Sequence, residues 1–401
     1  MNPLLSRLQP YPFERLRQLH ADVVPNSAYK PISLGIGEPR HATPQLIKDA
    51  LTASLASLAS YPATAGEPKL RQVISEWLGR RYAVKVNAGT QILPVNGSRE
   101  ALFSLAQTIL DPSQPSATVL CPNPFYQIYE GAALLAGAQP WFVPSDPARN
   151  FALDWVSVPD DVWEKTQMVF VCSPGNPAGA VMDLDEWKLL FELSDHYGFV
   201  IASDECYSEI YFRGEPPLGS LQAASLLGRN NYKNLITLTS LSKRSNVPGL
   251  RSGFVAGDAA LIKSFLLYRT YHGSAMSPIV QAASIAAWSD EEHVVANRTM
   301  YRDKFGAVTP MLSKVMDVAL PDAGFYLWAG IPAAFKGSDT DFSRELLAAY
   351  NVVVLPGSYL AREAQGSNPG AGRVRMAMVA ETAECAEAAR RIVQFIQSKL
   401  R

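Results

Sequence analysis

The chain has 401 residues, which is longer than one typical domain core and predicts two domains, or one large domain with a smaller one appended. Its 48% hydrophobic and 18% charged residues are typical of a globular enzyme rather than a disordered or fibrous chain. A net charge of −1 at pH 7 offers no charge footprint for nucleic acid or an anionic membrane.

Targeting segments and metal-ligand spacings are not apparent. Residues 1–9 lack the basic-then-apolar pattern of a signal peptide, and the apolar runs are too short to span a bilayer, so we expect a cytoplasmic protein. Cys121, Cys172, Cys206 and Cys385 form no CxxC pair, which predicts reduced thiols rather than a disulfide framework or zinc site. The five histidines are scattered, so no metal site is predicted.

The N-terminal part contains a glycine-rich turn and three candidate helices. Gly35-Ile-Gly-Glu-Pro39 suggests a strand that breaks into an exposed loop, where backbone N–H groups could approach a ligand. An ordinary turn explains the same residues. Helices are predicted over 13–21, 44–59 and about 67–81, and Tyr61 stands on a loop before the third.

A strand, a glycine turn and a helix start follow one another at residues 91–109. The strand candidate 91–95 leads through Gly97 and Ser98 into a helix over 101–109. Free N–H groups at a helix start, with a hydroxyl beside them, predict an anion site. A simple serine N-cap with Glu100 in the first turn remains an alternative.

Strands and helices then alternate, which predicts a largely parallel, doubly wound sheet. We expect strands at 117–121, 168–172 and 199–202, with helices over much of 124–136 and over 184–196. Ligands of such sheets bind beyond the C-terminal ends of the strands. The polar residues that follow these ends are Tyr126, Asn176, Asp204 and Tyr207.

The stretch from 234 to 253 predicts a covalent cofactor site. A β-branched strand gives way to Ser240, Ser242 and Lys243, and Arg251 follows eight residues after the lysine. An amine, hydroxyls and a guanidinium are the groups that pyridoxal phosphate needs for its covalent link and its phosphate. A lysine taken by itself is more often a solvated surface residue, so the prediction depends on the motifs that precede it.

The best candidate for a domain boundary lies at residues 289–293, before a long polar helix. Beyond it, strands at 323–329, 352–358 and 372–379 and a closing helix over 383–400 indicate a smaller α+β unit, which the N-terminal segment joins. The expected division is a large domain of residues 46–288 and a small domain made of residues 1–45 and 289–401.

Taken together, these motifs resemble the class I/II aminotransferases, the pyridoxal-phosphate enzymes of fold type I. The resemblance covers nearly the whole chain and implies an α/β fold with a mostly parallel, doubly wound sheet in the large domain. The motifs, in chain order, are Gly35-Ile-Gly-Glu-Pro39, Tyr61 with Gly66, Gly97-Ser98, Tyr126, Asn176-Pro-Ala-Gly179, Asp204-Glu-Cys-Tyr207, Ser240-Leu-Ser-Lys243, Arg251-Ser-Gly253 and Arg375.

The resemblance implies a role for each residue near the cofactor ring. Lys243 would bind pyridoxal phosphate covalently and act as the base, which agrees with the chemistry of a desolvated amine among cations. Asp204 would pair with the pyridine nitrogen, although a helix cap after the strand is the alternative. Tyr207 and Asn176 would donate hydrogen bonds to the phenolate oxygen, and Tyr126 would stack on the ring.

The same resemblance assigns the cofactor phosphate to the backbone at Gly97 and Ser98, to Ser240 and to Arg251. Tyr61 would reach the phosphate bound by the neighbouring subunit, which implies a homodimer with shared sites.

The substrate would be held by a different group of residues. Arg375 would bind the α-carboxylate, because a planar guanidinium can contact both carboxylate oxygens. Arg373 is a rival candidate for this role. The backbone at Gly37 would close over the same carboxylate. Phe125 is a neighbouring aromatic to Tyr126, and Tyr126 is preferred as the stacking residue because it lies three residues before Tyr129.

Three further stretches are most similar to proteobacterial N-succinyl-LL-diaminopimelate aminotransferases: 37–44, 123–130 and 268–274. The implied reaction moves the amino group of glutamate to N-succinyl-2-amino-6-oxopimelate, within lysine synthesis. That substrate carries two further carboxylates, for which Arg40 with His41, or Arg269 with His272, are candidates, unless these are ordinary surface residues.

Other functions of the same fold remain open. They are aspartate, alanine or aromatic aminotransferases, a C–S β-lyase, and a cofactor-binding regulator. About thirty residues before the Gly35 motif leave little room for the DNA-binding segment of a regulator.

Overall fold

The structure is a computed structural model that describes residues 1–114 and 116–399. It is an α/β protein. The strands of the described residues are β1 (Ile32–Ser33), β2 (Ile92–Val95), β3 (Thr118–Asn123), β4 (Gln139–Asp146), β5 (Ala152–Leu153), β6 (Thr166–Cys172), β7 (Val200–Asp204), β8 (Leu235–Ser240), β9 (Gly253–Gly257), β10 (Tyr326–Gly330), β11 (Val352–Val353), β12 (Leu355–Pro356) and β13 (Arg373–Ala377).

Helices surround these strands on both faces of the large sheet. They are α1 (Pro12–Leu19), α2 (Gln45–Ala53), α3 (Pro68–Tyr82), α4 (Ser98–Ile109), α5 (Ile128–Leu135), α6 (Asp160–Trp163), α7 (Leu184–Tyr197), α8 (Ser220–Leu226), α9 (Leu241–Arg244), α10 (Ala259–His272), α11 (Pro278–Ser289), α12 (Glu292–Leu312), α13 (Asp339–Tyr350) and α14 (Thr382–Lys399). Among the described residues, no helix combines the length and the apolar character needed to cross a membrane.

The central sheet has eight strands in the order β2-β9-β8-β7-β6-β3-β4-β5. The run from β8 through β7, β6 and β3 to β4 is parallel, whereas β9 is antiparallel to both of its neighbours and β5 is antiparallel to β4. The C-terminal ends of five adjacent strands therefore meet along one edge, where open α/β sheets bind their ligands.

The buried strands separate two hydrophobic cores. On β6, Met168 and Phe170 face one core while Val169 and Val171 face the other, because successive side chains point to opposite faces of a strand. Helices cover both faces, so β6 is almost continuously apolar instead of alternating with polar residues. This double burial holds the polar ends of the strands in fixed positions.

A second unit is built from the ends of the chain. The three-stranded sheet β10-β13-β12 and the pair β1-β11 share a separate core with α12, α13 and α14. The amide of Ala377 donates to the carbonyl of Leu34, which ties the N-terminal segment to this unit. These separate cores support, as a proposal, the division into residues 46–288 and residues 1–45 with 289–401.

Several element boundaries differ from the sequence-based predictions. The helix expected over 44–59 ends at Ala53 and continues as a 3-10 turn, and the helix expected over 124–136 begins only at Ile128. The strand expected over 352–358 is two short strands followed by a 3-10 turn. The closing helix ends its described part at Lys399, and Leu400 lies outside the described residues.

Candidate active site

A cavity of about 540 Å³ lies at the C-terminal edge of the central sheet. Its size is in the usual range for small-molecule sites. Ten of the twelve site residues predicted from the sequence line it: Gly37, Ser98, Tyr126, Asn176, Asp204, Tyr207, Ser240, Lys243, Arg251 and Arg375. No group of three or more His, Cys, Asp or Glu side chains in the described part of the chain is arranged to bind a metal ion.

Lys243 lies on the single-turn helix α9, directly after β8. Its Nζ donates to the carbonyl oxygen of Gly37 at 2.9 Å. Burial is the main reason that the pKa of Lys243 is lowered to about 8; the nearby guanidinium groups of Arg375 and Arg99 act in the same direction, and Cys206 and Glu38 oppose them. More of this amine is therefore neutral near neutral pH than in an ordinary lysine, and the neutral form can act as a nucleophile or base.

Asp204 ends β7 and is buried below the cavity. Its Oδ2 accepts a hydrogen bond from the hydroxyl of Tyr129 at 2.9 Å, and its Oδ1 accepts one from the backbone amide of Cys206 at 3.2 Å. Burial raises the pKa of Asp204, while these hydrogen bonds and Lys243 oppose that rise. A buried carboxylate held in this way is suited to a cationic ring nitrogen above it.

The predicted phosphate end of the cavity is formed where β2 and β8 end and β9 begins. Gly97 adopts a φ of +88°, and a Cβ at this position would overlap the guanidinium of Arg251, so glycine is required here. Ser98 opens α4, and Ser240 caps α9 by accepting from the amide of Ser242 at 3.0 Å. Backbone amides, hydroxyls and one guanidinium therefore converge, as a phosphate site needs.

Arg375 and Asn176 form the opposite end. Arg375 is buried, and its two terminal nitrogens donate to Oδ1 of Asn176 at 3.0 Å and to the carbonyl of Gly35 at 3.2 Å. Its buried Nε has no hydrogen-bond partner among the described residues. The rival candidate Arg373 does not line the cavity and pairs with Asp317 at 2.9 Å; it lies on the same face of β13 as Arg375 but two residues earlier along the strand.

Tyr126 lines the cavity as expected for a stacking residue, whereas Phe125 is buried against Phe142. The hydroxyl of Tyr126 accepts a hydrogen bond from Nε of Arg99 at 2.6 Å. Sequence reasoning missed Arg99, which also lines the cavity. The signal was available, because Arg99 follows Ser98 at the start of α4.

Tyr61 does not contact this cavity within one chain. It lies on the loop after the 3-10 turn Leu55–Ala59 and is fully exposed. The loop placement agrees with the sequence-based prediction, and a role for Tyr61 at a cofactor site requires a second subunit.

The candidates for binding distal carboxylates were wrong for Arg269 and His41. Arg269 is fully buried and pairs with both carboxylate oxygens of Glu100, at 2.8 and 2.7 Å. His41 is buried between Asn297 and Lys304, at 2.9 and 2.5 Å. Both side chains are therefore already engaged in hydrogen bonds within the protein.

Their sequence partners lie on the surface. Arg40 is half exposed and pairs with Glu384 at 3.6 Å, and neither Arg40 nor His272 belongs to the lining of the cavity. The stretches that carry these residues therefore do not supply the walls of the site.

The residues present fit pyridoxal phosphate. The amine of Lys243, with its lowered pKa, stands between a phosphate-type cradle and a buried carboxylate, and the unpartnered Nε of Arg375 is available to an anionic ligand. The donor set therefore matches each charged part of that cofactor and of an amino-acid carboxylate.

Comparisons with known proteins agree with this assignment. The model of the family described as aminotransferase class I and II matches residues 29–392. The LL-diaminopimelate aminotransferase of Dehalococcoides mccartyi is 32% identical over 368 residues, 90% of this chain and 92% of that protein. The enzyme of the same name from Aquifex aeolicus is 30% identical over 392 residues, 97% of each chain.

Solved structures show the same fold. A crystal structure of an aminotransferase from Neisseria meningitidis is 56% identical, with a TM-score of 0.95 over 98% of this chain and 99% of that one. A probable N-succinyldiaminopimelate aminotransferase from Thermus thermophilus has a TM-score of 0.85 over 96% of this chain and 100% of that one, at 24% identity, which shows the shared fold alone.

The length of the family match, the similarity to these aminotransferases and the residues gathered in the cavity lead to one conclusion: this chain is a pyridoxal-phosphate-dependent enzyme of fold type I and belongs to the class I and II aminotransferases.

Proposed function

We propose that the enzyme moves an amino group between glutamate and N-succinyl-2-amino-6-oxopimelate, giving 2-oxoglutarate and N-succinyl-LL-2,6-diaminopimelate in lysine synthesis. The choice of substrate is based on Arg99, a cationic side chain that lines the cavity. None of the proposed contacts with the cofactor involves this side chain.

Each residue of the site has a proposed task in that reaction. Pyridoxal phosphate, when bound, supplies the electron-accepting ring that transamination needs. Lys243 holds the cofactor covalently and carries the Cα proton, and Asp204 stabilises the positive charge of the ring nitrogen. Arg375 binds the substrate α-carboxylate and so fixes the direction of the Cα–H bond.

The remaining cofactor contacts divide between the two ends of the cavity. Tyr207 and Asn176 donate to the phenolate oxygen, and Tyr126 stacks on the ring. Gly97, Ser98, Ser240 and Arg251 hold the phosphate, and the backbone at Gly37 closes the substrate side.

The charges of the cavity support a substrate with several carboxylates. Four cationic side chains line it, against two acidic ones, Glu38 and Asp204. With Lys243 and Arg251 assigned to the cofactor, Arg375 and Arg99 remain for substrate. The Nε of Arg99 is bound to Tyr126, and the described residues offer its two terminal nitrogens no hydrogen bond. They can therefore donate to a distal carboxylate.

A second candidate substrate is free LL-diaminopimelate, the substrate named for the relatives from Dehalococcoides mccartyi and Aquifex aeolicus. Its distal end carries an ammonium group in place of the succinyl amide. Glu38, exposed at the cavity lining, favours that possibility because it offers a carboxylate to an ammonium group.

A panel of amino donors separates these possibilities. We expect the native enzyme to show its highest kcat/KM with N-succinyl-LL-diaminopimelate, with 2-oxoglutarate as acceptor. Arg99→Ala is expected to lower that value about ten- to a hundredfold more than it lowers kcat/KM for alanine, since a charge-assisted contact is worth about 1.5 to 3 kcal/mol. Loss of the hydrogen bond from Arg99 to Tyr126 and of its charge near Lys243 affects both substrates alike. Arg40→Ala is the matched control, because Arg40 lies outside the cavity lining.

Each alternative gives a different result. A preference for free LL-diaminopimelate supports the second candidate, and a preference for aspartate, alanine or an aromatic amino acid contradicts both. Ammonia and pyruvate from a cysteine conjugate, without a new amino acid, would identify a C–S β-lyase.

We also propose a homodimer in which Tyr61 serves the partner's cofactor phosphate. In the single chain, large apolar side chains are exposed on the 3-10 turn before Tyr61 and on α10, at Leu55, Leu58, Leu267 and Tyr271. Exposed groups of this kind mark interaction surfaces when they cluster.

Subunit mixing tests this arrangement. Tyr61→Ala and Lys243→Ala are each expected to be nearly inactive, but an equal mixture should recover about a quarter of the native sites, since half of randomly assorted dimers have one site with both native residues. A mixture of Lys243→Ala with Asp204→Ala is the control, because both residues lie in the same chain's cavity and no native site can form. An active monomer in sedimentation would contradict the shared site.

A further inference from the structure

Tyr326 lies at the point where three residues of the proposed site meet. It is buried on β10, its hydroxyl is 3.1 Å from that of Tyr207, and the guanidinium carbon of Arg375 lies 4.2 Å from the centre of its ring. A Cβ on Gly37 would overlap the Tyr326 hydroxyl. We propose that Tyr326 is a positioning residue that directs the Tyr207 hydroxyl toward the cofactor and orients Arg375 toward the substrate carboxylate.

The pair of hydroxyls has only two possible hydrogen-bond directions. Only one of the two tyrosines can donate along the line that joins Tyr207 and Tyr326. If Tyr207 donates its hydrogen to the cofactor phenolate, its oxygen must accept from Tyr326. Burial raises the pKa of Tyr207 well above its ordinary value, so its hydroxyl keeps the hydrogen that this chain of bonds needs. A hydroxyl that accepts one hydrogen bond becomes a better donor in the next.

The ring of Tyr326 acts on the substrate side. Arg375 is buried, and a guanidinium over an aromatic face is stabilised more strongly in a desolvated site than on the surface. Because its terminal nitrogens are tied to Asn176 and Gly35, the ring completes a fixed frame that aims the unpartnered Nε. The ring therefore sets the orientation of the carboxylate site.

The N-terminal loop is positioned by the same side chain. The Tyr326 hydroxyl occupies the space that a side chain on residue 37 would need, and the carbonyl of Gly37 accepts from Nζ of Lys243. Tyr326 thus limits how closely this loop approaches the lysine.

A buried tyrosine hydroxyl need not form a hydrogen bond, so burial alone does not explain the contact between the hydroxyls of Tyr326 and Tyr207. Tyr301 is a second buried tyrosine nearby, stacked on Phe325, and its hydroxyl has no hydrogen-bond partner among the described residues. Tyr301→Phe is therefore a matched control for the loss of a buried tyrosine hydroxyl.

The effect of Tyr326 on Tyr207 is tested by the visible absorption of the bound cofactor. A donor to the cofactor's phenolate oxygen stabilises its negative charge and so favours the form that has lost a proton, which lowers the pH midpoint of the change in visible absorption. Tyr326→Phe is expected to raise that midpoint by about 0.5 to 1 pH unit, because it weakens one hydrogen bond in the chain. Tyr207→Phe should shift it further in the same direction, and Tyr301→Phe should leave it unchanged.

The effect of Tyr326 on Arg375 is tested by the KM for glutamate. Tyr326→Phe keeps the ring and should change KM less than about twofold, while Tyr326→Leu removes the ring and should raise KM about five- to thirtyfold. Melting temperatures of the purified variants identify any that fail to fold. Tyr326→Phe removes only a hydroxyl, so it still tests the effect on Tyr207 if Tyr326→Leu does not fold.

The inference rests on the roles proposed for Tyr207 and Arg375. The outcomes distinguish a failure of those roles from a failure of the positioning role of Tyr326. An unchanged midpoint in Tyr207→Phe overturns the role of Tyr207 itself. A shift in Tyr207→Phe with none in Tyr326→Phe overturns the positioning role alone. A native KM in a folded Tyr326→Leu overturns the effect on Arg375.

Discussion

Lys243→Ala is expected to abolish transamination and to yield a protein without the lysine-linked chromophore. Among the residues that line the cavity, Lys243 is the only lysine, so no other lining residue supplies an amine. General base catalysis alone typically contributes about 10²- to 10⁴-fold to a rate, and this variant also loses the covalent hold on the cofactor. Turnover below detection, with the absorption of free cofactor only, is the expected measurement.

Lys188→Ala is a suitable control, because Lys188 is an exposed lysine on α7. It should keep native turnover and the native spectrum. Reduction with borohydride followed by peptide mapping locates the modified lysine. A chromophore that can be reduced onto a different lysine in Lys243→Ala, with transamination intact, would contradict the assignment.

The parts of the site that could be predicted from sequence are those in which local pattern and topology agree. Lys243 and Asp204 each follow a run of buried strand residues, and parallel strands bring such ends to one edge. Gly97 was identified in the same way, between a strand and a helix start. The structure then adds a separate reason for that glycine, namely the guanidinium of Arg251.

Three strands of the central sheet, β4, β5 and β9, were not predicted, and the residues of β9 and β4 give physical reasons for two of these omissions. β9 is bounded by Gly253 and Gly257, which indicate turns in a sequence, yet it pairs with β2 and β8. A Cβ at Gly257 would overlap the backbone of Leu235, so the glycine marks a close strand contact rather than a turn. β4 contains Pro140 and Pro144, which weaken any strand signal, and its pairing with β3 overrides them.

The arginines show the limit of sequence reasoning within the site. Arg269 was a candidate for the substrate because a histidine follows it closely, but its charge is neutralised by Glu100, 169 residues earlier. Arg99 was overlooked because its neighbour Ser98 explained the motif. Whether an arginine is free or paired depends on contacts between distant residues, which a local pattern does not contain.

Asp204 presents the same problem, since a carboxylate after a strand can be a turn cap or a catalytic group. The structure shows features of both: Oδ1 accepts from the amide of Cys206, as in a cap, and Oδ2 accepts from Tyr129, 75 residues away. A local cap does not require the second bond. The tyrosine contact therefore favours the interpretation in which the carboxylate is held in a fixed orientation under the cofactor ring.

Asp204→Ala is expected to slow removal of the substrate Cα proton by about 10²-fold or more, because loss of one preorganised charge contact typically costs about 3 kcal/mol in the barrier. Cofactor occupancy should fall much less, since the phosphate contacts at Ser98, Ser240 and Arg251 remain. A single-turnover measurement with an α-deuterated amino acid gives the rate of this step, and absorbance after denaturation gives the cofactor content.

Asp204→Asn separates the charge from the cap. The amide oxygen of asparagine can still accept from Cys206, so the turn should persist and the melting temperature should stay near that of the native enzyme, whereas the negative charge is lost. If the charge on the ring nitrogen is what matters, Asp204→Asn slows proton removal nearly as much as Asp204→Ala. If Asp204→Asn removes the Cα proton at the native rate, the carboxylate serves only to cap the turn after β7, and the catalytic role proposed for it is wrong.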